Sequence, residues 1–203
     1  MTREEELILI AETQNGDSAA FERLVLENQA KVYNLALRMV GNEDDAFDMS
    51  QEAFIKTYNA ISNFRGDSRF SVWLYRLTTN VCLDFLRAEG RRPHSSLTYA
   101  GEDEEEQELE IPDERFSPET LLEKKALRET VAQGLMRLPE DYRAILLLRE
   151  IDGLSYDEIA EVLSLESGTV KSRIFRARKR LCAILSADGN FSEDFTSKKT
   201  EEV

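Results

Sequence analysis

The chain has 203 residues, 41% of them hydrophobic and 33% charged, with a formal net charge of -14 at pH 7. That leaves room for one large or two small domains with real cores, and no apolar run approaches the roughly 18 residues of a membrane span. The acidic start MTREEELILI lacks the basic-then-apolar pattern of a secretory signal, which predicts a cytoplasmic protein. Cys82, Cys182 and His94 form no metal-ligand cluster. Both thiols fall on apolar faces of predicted helices and are expected to be buried structural residues.

The N-terminal stretch reads as a helical bundle. Asp17 or Ser18 offers an N-cap to a helix that buries Ala20, Phe21, Leu24 and Val25. Val32, Leu35, Ala36 and Met39 stripe a second helix, which Gly41 ends. Asn42 starts a third, with Ala46, Met49, Ala53 and Ile61 on its buried side. Phe64-Arg65-Gly66-Asp67-Ser68 is a turn, since glycine supplies positive φ and Asp and Ser supply local hydrogen bonds. A long fourth helix is predicted from Arg69 to about Glu89, with Gly90 ending it and Arg91-Arg92 just beyond.

Charge then divides the chain unevenly. Residues 1–92 carry a net charge of -4, residues 93–118 carry -8, and residues 119–185 carry +1. The drop at Pro93 marks an acidic tether, poor in apolar residues and rich in like charge, that has no means to pack a core. The tail beyond Leu185 reads as disordered. No stretch shows strand alternation, so the expected fold class is all-α: two small helical domains, residues 1–92 and 117–185, joined by a flexible linker, 93–116, with a tail at 186–203.

The second domain opens on Ser117-Pro118, an N-cap followed by a helix-compatible proline, with a helix to about Leu138. Pro139 opens the next, Glu140–Ile151, which Gly153 closes. Ser155-Tyr156-Asp157-Glu158 fits a capping box, and Ile159, Ala160, Val162 and Leu163 give the helix that follows a buried side. Ser164 sits where the chain must turn, and Ser167 is an N-cap candidate for the last helix. There Val170, Ile174, Ala177 and Leu181 share one face. The same helix carries Lys171, Arg173, Arg176, Arg178, Lys179 and Arg180, with no acid among them. A concentrated basic face on an acidic protein points to a helix-turn-helix on DNA. Lys171, Ser172, Phe175, Arg176 and Lys179 make a DNA-reading set: cations for guanine edges or phosphates, serine for either, phenylalanine against thymine methyls.

Four segments resemble one family in order: DAFDMSQEAFIKTYNAI, NFRGDSRFSVWLYRLTTNVCLDFLRAEGRRP, LPEDYRAILLLREIDGLSYDEIAEVL and GTVKSRIFRARKRL. Together they resemble the extracytoplasmic-function sigma factors, small two-domain promoter-recognition subunits of bacterial RNA polymerase. The resemblance implies core RNA polymerase and promoter DNA as partners, an anti-sigma factor, often membrane-anchored, as inhibitor, and no direct membrane insertion by this chain. It implies that Asp48, Gln51 and Glu52 contact core polymerase. It implies that Phe64, Arg65, Gly66, Asp67 and Ser68 capture a flipped base of the -10 element. Arg69, Trp73, Arg76, Asn80 and Arg87 then lie on or near the strand-separating helix. Arg149, Tyr156, Lys171, Ser172, Arg173, Phe175, Arg176 and Arg178 match positions facing the -35 duplex, and Lys179 joins them on the polar face of the last helix. Lys171 stands where close relatives often carry arginine. Lysine cannot make the bidentate fork, so guanine readout there is softer.

A nucleophile–base pair, a phosphate-cradling glycine loop and a metal cluster are all missing from the sequence, so neither catalysis nor a cofactor is expected. The competing reading is a stand-alone helix-turn-helix regulator with an N-terminal sensing domain. It would need a spare apolar dimer face, which the sequence does not offer. A third, an enzyme with a DNA-binding appendage, lacks the residues for chemistry.

Overall fold

The structure, a computed structural model, describes residues 1–91 and 118–187, with side chains described from Lys124 in the second segment. The predicted tether and the tail beyond Ala187 lie outside these residues, whereas Ser186 and Ala187, expected in the tail, belong to the last turn of a helix. The described residues form α-helices and two short helical turns, with no strand among them. The helices are α1 (Arg3–Gln14), α2 (Ser18–Val40), α3 (Glu43–Ala60), α4 (Phe70–Glu89), α5 (Pro118–Met136), α6 (Glu140–Leu146), α7 (Tyr156–Val162) and α8 (Ser167–Ala187).

Local chemistry explains most boundaries. Asp17 caps α2, accepting from the Ala19 and Ala20 amides. Asn42 caps α3, accepting from the Asp45 amide at 2.8 Å. Gly41 ends α2 at φ +88, the left-handed region where a β-carbon is costly. Ser155 and Glu158 form the expected capping box on α7, at 3.3 and 2.8 Å. Ser164 makes the turn between α7 and α8 at φ +51.

The sequence reading needs correction at four places. Helix α1, unforeseen, carries its own capping box between Thr2 and Glu5 and buries Leu9, Ile10 and Thr13. The two helices expected between Asp17 and Gly41 are one, because nothing between Val25 and Val32 breaks a helix. Asn28 stays helical inside it by donating to the Leu24 carbonyl at 2.8 Å. Ser167 is the first residue of α8, and its hydroxyl donates to Asp157 at 2.7 Å, tying α8 to the start of α7. Cys182 is exposed, whereas Cys82 is buried and its thiol is pushed up to about 12 by that burial. A maleimide is therefore expected to modify one thiol per native chain at pH 8 and two in guanidinium, read by mass spectrometry. Two rapid modifications of native protein would contradict the packing of Cys82.

Helices α1–α4 bundle around Leu24, Val32, Ala53, Phe70, Trp73 and Leu74. A second apolar core is shared between the two segments. Leu35, Ala36, Met39, Val72, Tyr75 and Cys82 from α2 and α4 are continuous with Leu138, Ile145, Leu148, Ile159, Val170 and Ile174 from the C-terminal helices. The C-terminal unit is thus seated on the α2–α4 side of the N-terminal bundle, with α7 against α4 and α5 against α2.

Candidate nucleic-acid and polymerase interfaces

Helix α8 is built from its buried side outward. Val170, Ile174 and Ala177 are fully packed, which fixes the rotation of α8 and leaves Lys171, Ser172, Arg176 and Lys179 exposed. Phe175 is 68% exposed on the same side. Arg173 is half-buried. Arg178 is engaged within the fold, its guanidinium on Glu150 at 2.9 and 2.5 Å. Arg149 is engaged too: it donates to the Leu154 carbonyl at 2.7 Å and lies over the Tyr156 ring at 4.9 Å. It emerges from a single π-helical turn, Leu147–Ile151, that continues α6.

The loop before α4 is held at its base. The Gln14 amide of α1 donates to the Ile61 and Phe64 carbonyls, both at 2.9 Å. Phe64 turns inward, only 8% exposed, and packs on Phe70 and Trp73 with ring centroids at 5.7 and 5.1 Å. Trp73 is 6% exposed. Both aromatics therefore belong to the bundle core in this conformation. Beyond Phe64 the loop is polar: Arg65 and Asp67 are exposed, and Gly66 takes φ +77. Along α4, Arg69, Asn80 and Arg87 are exposed and Arg76 is half-buried, on the face set by helical spacing.

Three of these groups already have acidic partners in the C-terminal unit. Ser68 donates to Glu161 at 2.8 Å, Arg69 donates to Glu158 at 3.0 Å through its Nε, and Arg87 pairs with Asp141 at 3.1 Å. Burial pushes the Glu158 carboxyl up, but the Ser155 amide and Arg69 outweigh it and hold the group below its ordinary value.

The third candidate surface lies on α3. Asp48 and Gln51 are exposed, and Glu52 pairs with Lys56 at 3.4 Å. Beside them runs an apolar groove between α2 and α3, lined by Tyr33, Phe47, Ser50, Gln51 and Phe54. Phe47, Ile55 and Tyr58 are exposed on the same helix. Reading α3 for polar residues alone missed this stripe, although its spacing of 47, 51, 54, 55 and 58 is that of one helix face.

Comparison with known proteins decides the family. Residues 24–92 match sigma-70 region 2 and residues 128–181 match sigma-70 region 4. The chain is 45% identical over 174 residues to the ECF RNA polymerase sigma-E factor of Escherichia coli K12, covering 86% of this chain and 91% of that one. The chain belongs to the extracytoplasmic-function sigma factors. The RNA polymerase sigma-H factor of Pseudomonas aeruginosa is a similar relative, 44% identical over 181 residues, 89% of this sigma factor and 94% of that chain. Among solved structures, CnrH in complex with the cytosolic domain of CnrY superposes with a TM-score of 0.63 at 28% identity, over 91% of this sigma factor and 99% of CnrH. This sigma factor is a non-catalytic subunit for transcription initiation. No described helix is long and apolar enough to cross a membrane.

Proposed function

We propose that this sigma factor acts in the cytoplasm with core RNA polymerase, reading the -35 element as duplex with α8 and capturing a melted -10 base with the loop before α4. The observation that carries the reading is the outer face of α8. It sets an exposed aromatic, Phe175, among Lys171, Ser172, Arg176 and Lys179, and solvation alone gives no reason to place a phenylalanine there. Region 2 spans residues 1–92 and region 4 spans 117–185, joined by the acidic tether. The α3 surface, with its polar Asp48 and Gln51 and its apolar Phe47 and Phe54, docks on polymerase. An anti-sigma factor is the expected inhibitory partner.

Division of labour gives the first test. Arg176→Ala is expected to cost about 1–3 kcal/mol at one or two -35 positions, measured as relaxed preference across -35 variants in transcription from reconstituted holoenzyme. Equal initiation at every variant would mean that another face of α8 reads the DNA.

The melting role gives the second. Base capture gains hydrogen bonds only once the duplex opens, so it favours the open complex over the closed one. Asp67→Ala with Asn80→Ala should leave polymerase binding intact and reduce permanganate reactivity of -10 thymines. A template with mismatched -10 bases should restore part of it. Full reactivity of the double variant on a paired template would reduce region 2 to a docking module.

A further inference from the structure

The contacts between the two units have a chemical regularity. Ser68, Arg69 and Arg87 each reach a carboxylate of the C-terminal unit, Glu161, Glu158 and Asp141, and Arg87 also lies 3.9 Å from Asp84 on its own helix. These are the oxygens a phosphodiester backbone would present to the same donors. The seat beneath them is apolar and shared, with Tyr75 and Met39 of the N-terminal bundle continuous with Leu138 and Leu148 of the other unit. Two more contacts lock it. The Arg143 guanidinium reaches across to the Met39 carbonyl at the end of α2. The Tyr75 hydroxyl and Arg38 both act on Asp152, which follows the π turn. By contrast, Lys171, Phe175 and Arg176 on α8 remain exposed in the same arrangement.

We propose that this arrangement is a closed, self-masked state of the sigma factor, in which α6 and α7 present three carboxylates in place of strand phosphates to Ser68, Arg69 and Arg87. It rests on the proposed role of the loop before α4 as a strand-binding surface. The masking is one-sided: the duplex reader stays free while the strand site is filled. Single-stranded DNA can engage the loop only when the units part, so its apparent affinity is reduced by the fraction of chains that are open. Each exposed ion pair is individually weak, and the latch holds because the pairs sit on a common apolar seat.

Arg38 supplies the means to test it. It is exposed, it plays no part in the proposed DNA or polymerase surfaces, and its charge acts across the joint to favour the ionised form of Asp152. Arg38→Glu sets two carboxylates against each other there, and Asp152→Lys sets two cations. The double charge swap restores attraction and leaves the net charge of the chain unchanged. The distance between units is read at pH 8 by energy transfer between dyes on native Cys182 and on Lys56→Cys, with Cys82→Ala in every chain because Cys82 lies in the seat that opening would expose. Strand affinity is read by anisotropy of a labelled, randomised single-stranded 12-mer. Each single variant is expected to lower transfer, and the double swap to recover it. Arg38→Glu should bind the 12-mer roughly three- to tenfold more tightly although it adds negative charge, while binding of a random duplex changes by less than about twofold. Arg69→Ala in that background should abolish the gain. Wild-type transfer in both single variants overturns the latch, and because that measurement contains no DNA it says nothing against the melting role. Lower transfer with no gain in strand affinity overturns the masking, and the permanganate assay in holoenzyme then decides the melting role separately. If Arg38→Glu fails to fold, Arg38→Ala, which also removes positive charge, carries the same comparison.

Discussion

Arg143→Met is expected to lower the stability of the free sigma factor by about 2–4 kcal/mol, and the thermal midpoint by roughly 6–12 °C for a chain of this size. Arg143 is 6% exposed and forms no ion pair among the described residues. Its charge is met instead by carbonyls: Leu135 at 3.1 Å, Met136 at 2.7 Å, Leu138 at 3.2 Å and Met39 of the other unit. These lie at the C-terminal ends of α5 and α2, where partial negative charge accumulates. Burial still pushes the guanidinium below its ordinary value, which shows the cost of desolvation that those oxygens must offset. Methionine fills similar space but leaves several carbonyls without a donor. Scanning calorimetry would measure the loss. A change under about 1 kcal/mol would mean that water replaces the guanidinium and that the joint is wetter than its burial indicates.

Phe64→Ala is expected to cost about 3–4 kcal/mol in denaturant unfolding, whereas Arg65→Ala and Asp67→Ala in the same loop should each stay within about 0.5 kcal/mol. Phe64 closes an aromatic cluster with Phe70 and Trp73, so truncation leaves a cavity between α4 and the 3-10 turn Ile61–Asn63. Its neighbours are exposed and have nothing to lose. The contrast matters for function. A melting defect in Phe64→Ala would report on a damaged bundle, so base capture has to be tested at Asp67 and Asn80. Near-neutral stability of Phe64→Ala would instead place this ring outside the core in solution, free to stack on a base.

How much of this was legible in sequence depends on the range of the interaction. Caps are local, so Asp17, Asn42 and the Ser155–Glu158 box declare themselves within four residues. Thr2–Glu5 has the same signature and was overlooked, because the acidic run after it hides a short apolar stripe. Face assignments depend on accumulated angle, and one step of 100° moves a residue from core to surface. That is the difference between Leu181, half-buried, and Cys182, exposed. The sites divide the same way. Phe175 and Arg176 were placed correctly on the outside of α8 because Val170, Ile174 and Ala177 fix its rotation. Phe64 and Trp73 turn inward because three aromatics from a loop and a helix meet, and spacing along one chain segment does not reveal that meeting. The engagement of Arg69 by Glu158 spans 89 residues and depends on two surfaces coming together. No local pattern encodes it.

The pairing of Arg178 with Glu150 bears on how salt governs this protein's hold on DNA. Each cation that neutralises a phosphate releases condensed counterions, and log affinity falls with log salt by about 0.9 per phosphate. Arg178 already has a carboxylate partner in Glu150, at 2.5 Å on the protein surface. With that pair intact, α8 offers at most Lys171, Arg173, Arg176, Lys179 and Arg180 to the backbone. A titration of duplex binding against potassium chloride has a ceiling slope of about −4.5 from α8, and a shallower one if Arg176 spends its contacts on base edges. Glu150→Ala would free the sixth cation from its partner and steepen that slope by up to about one.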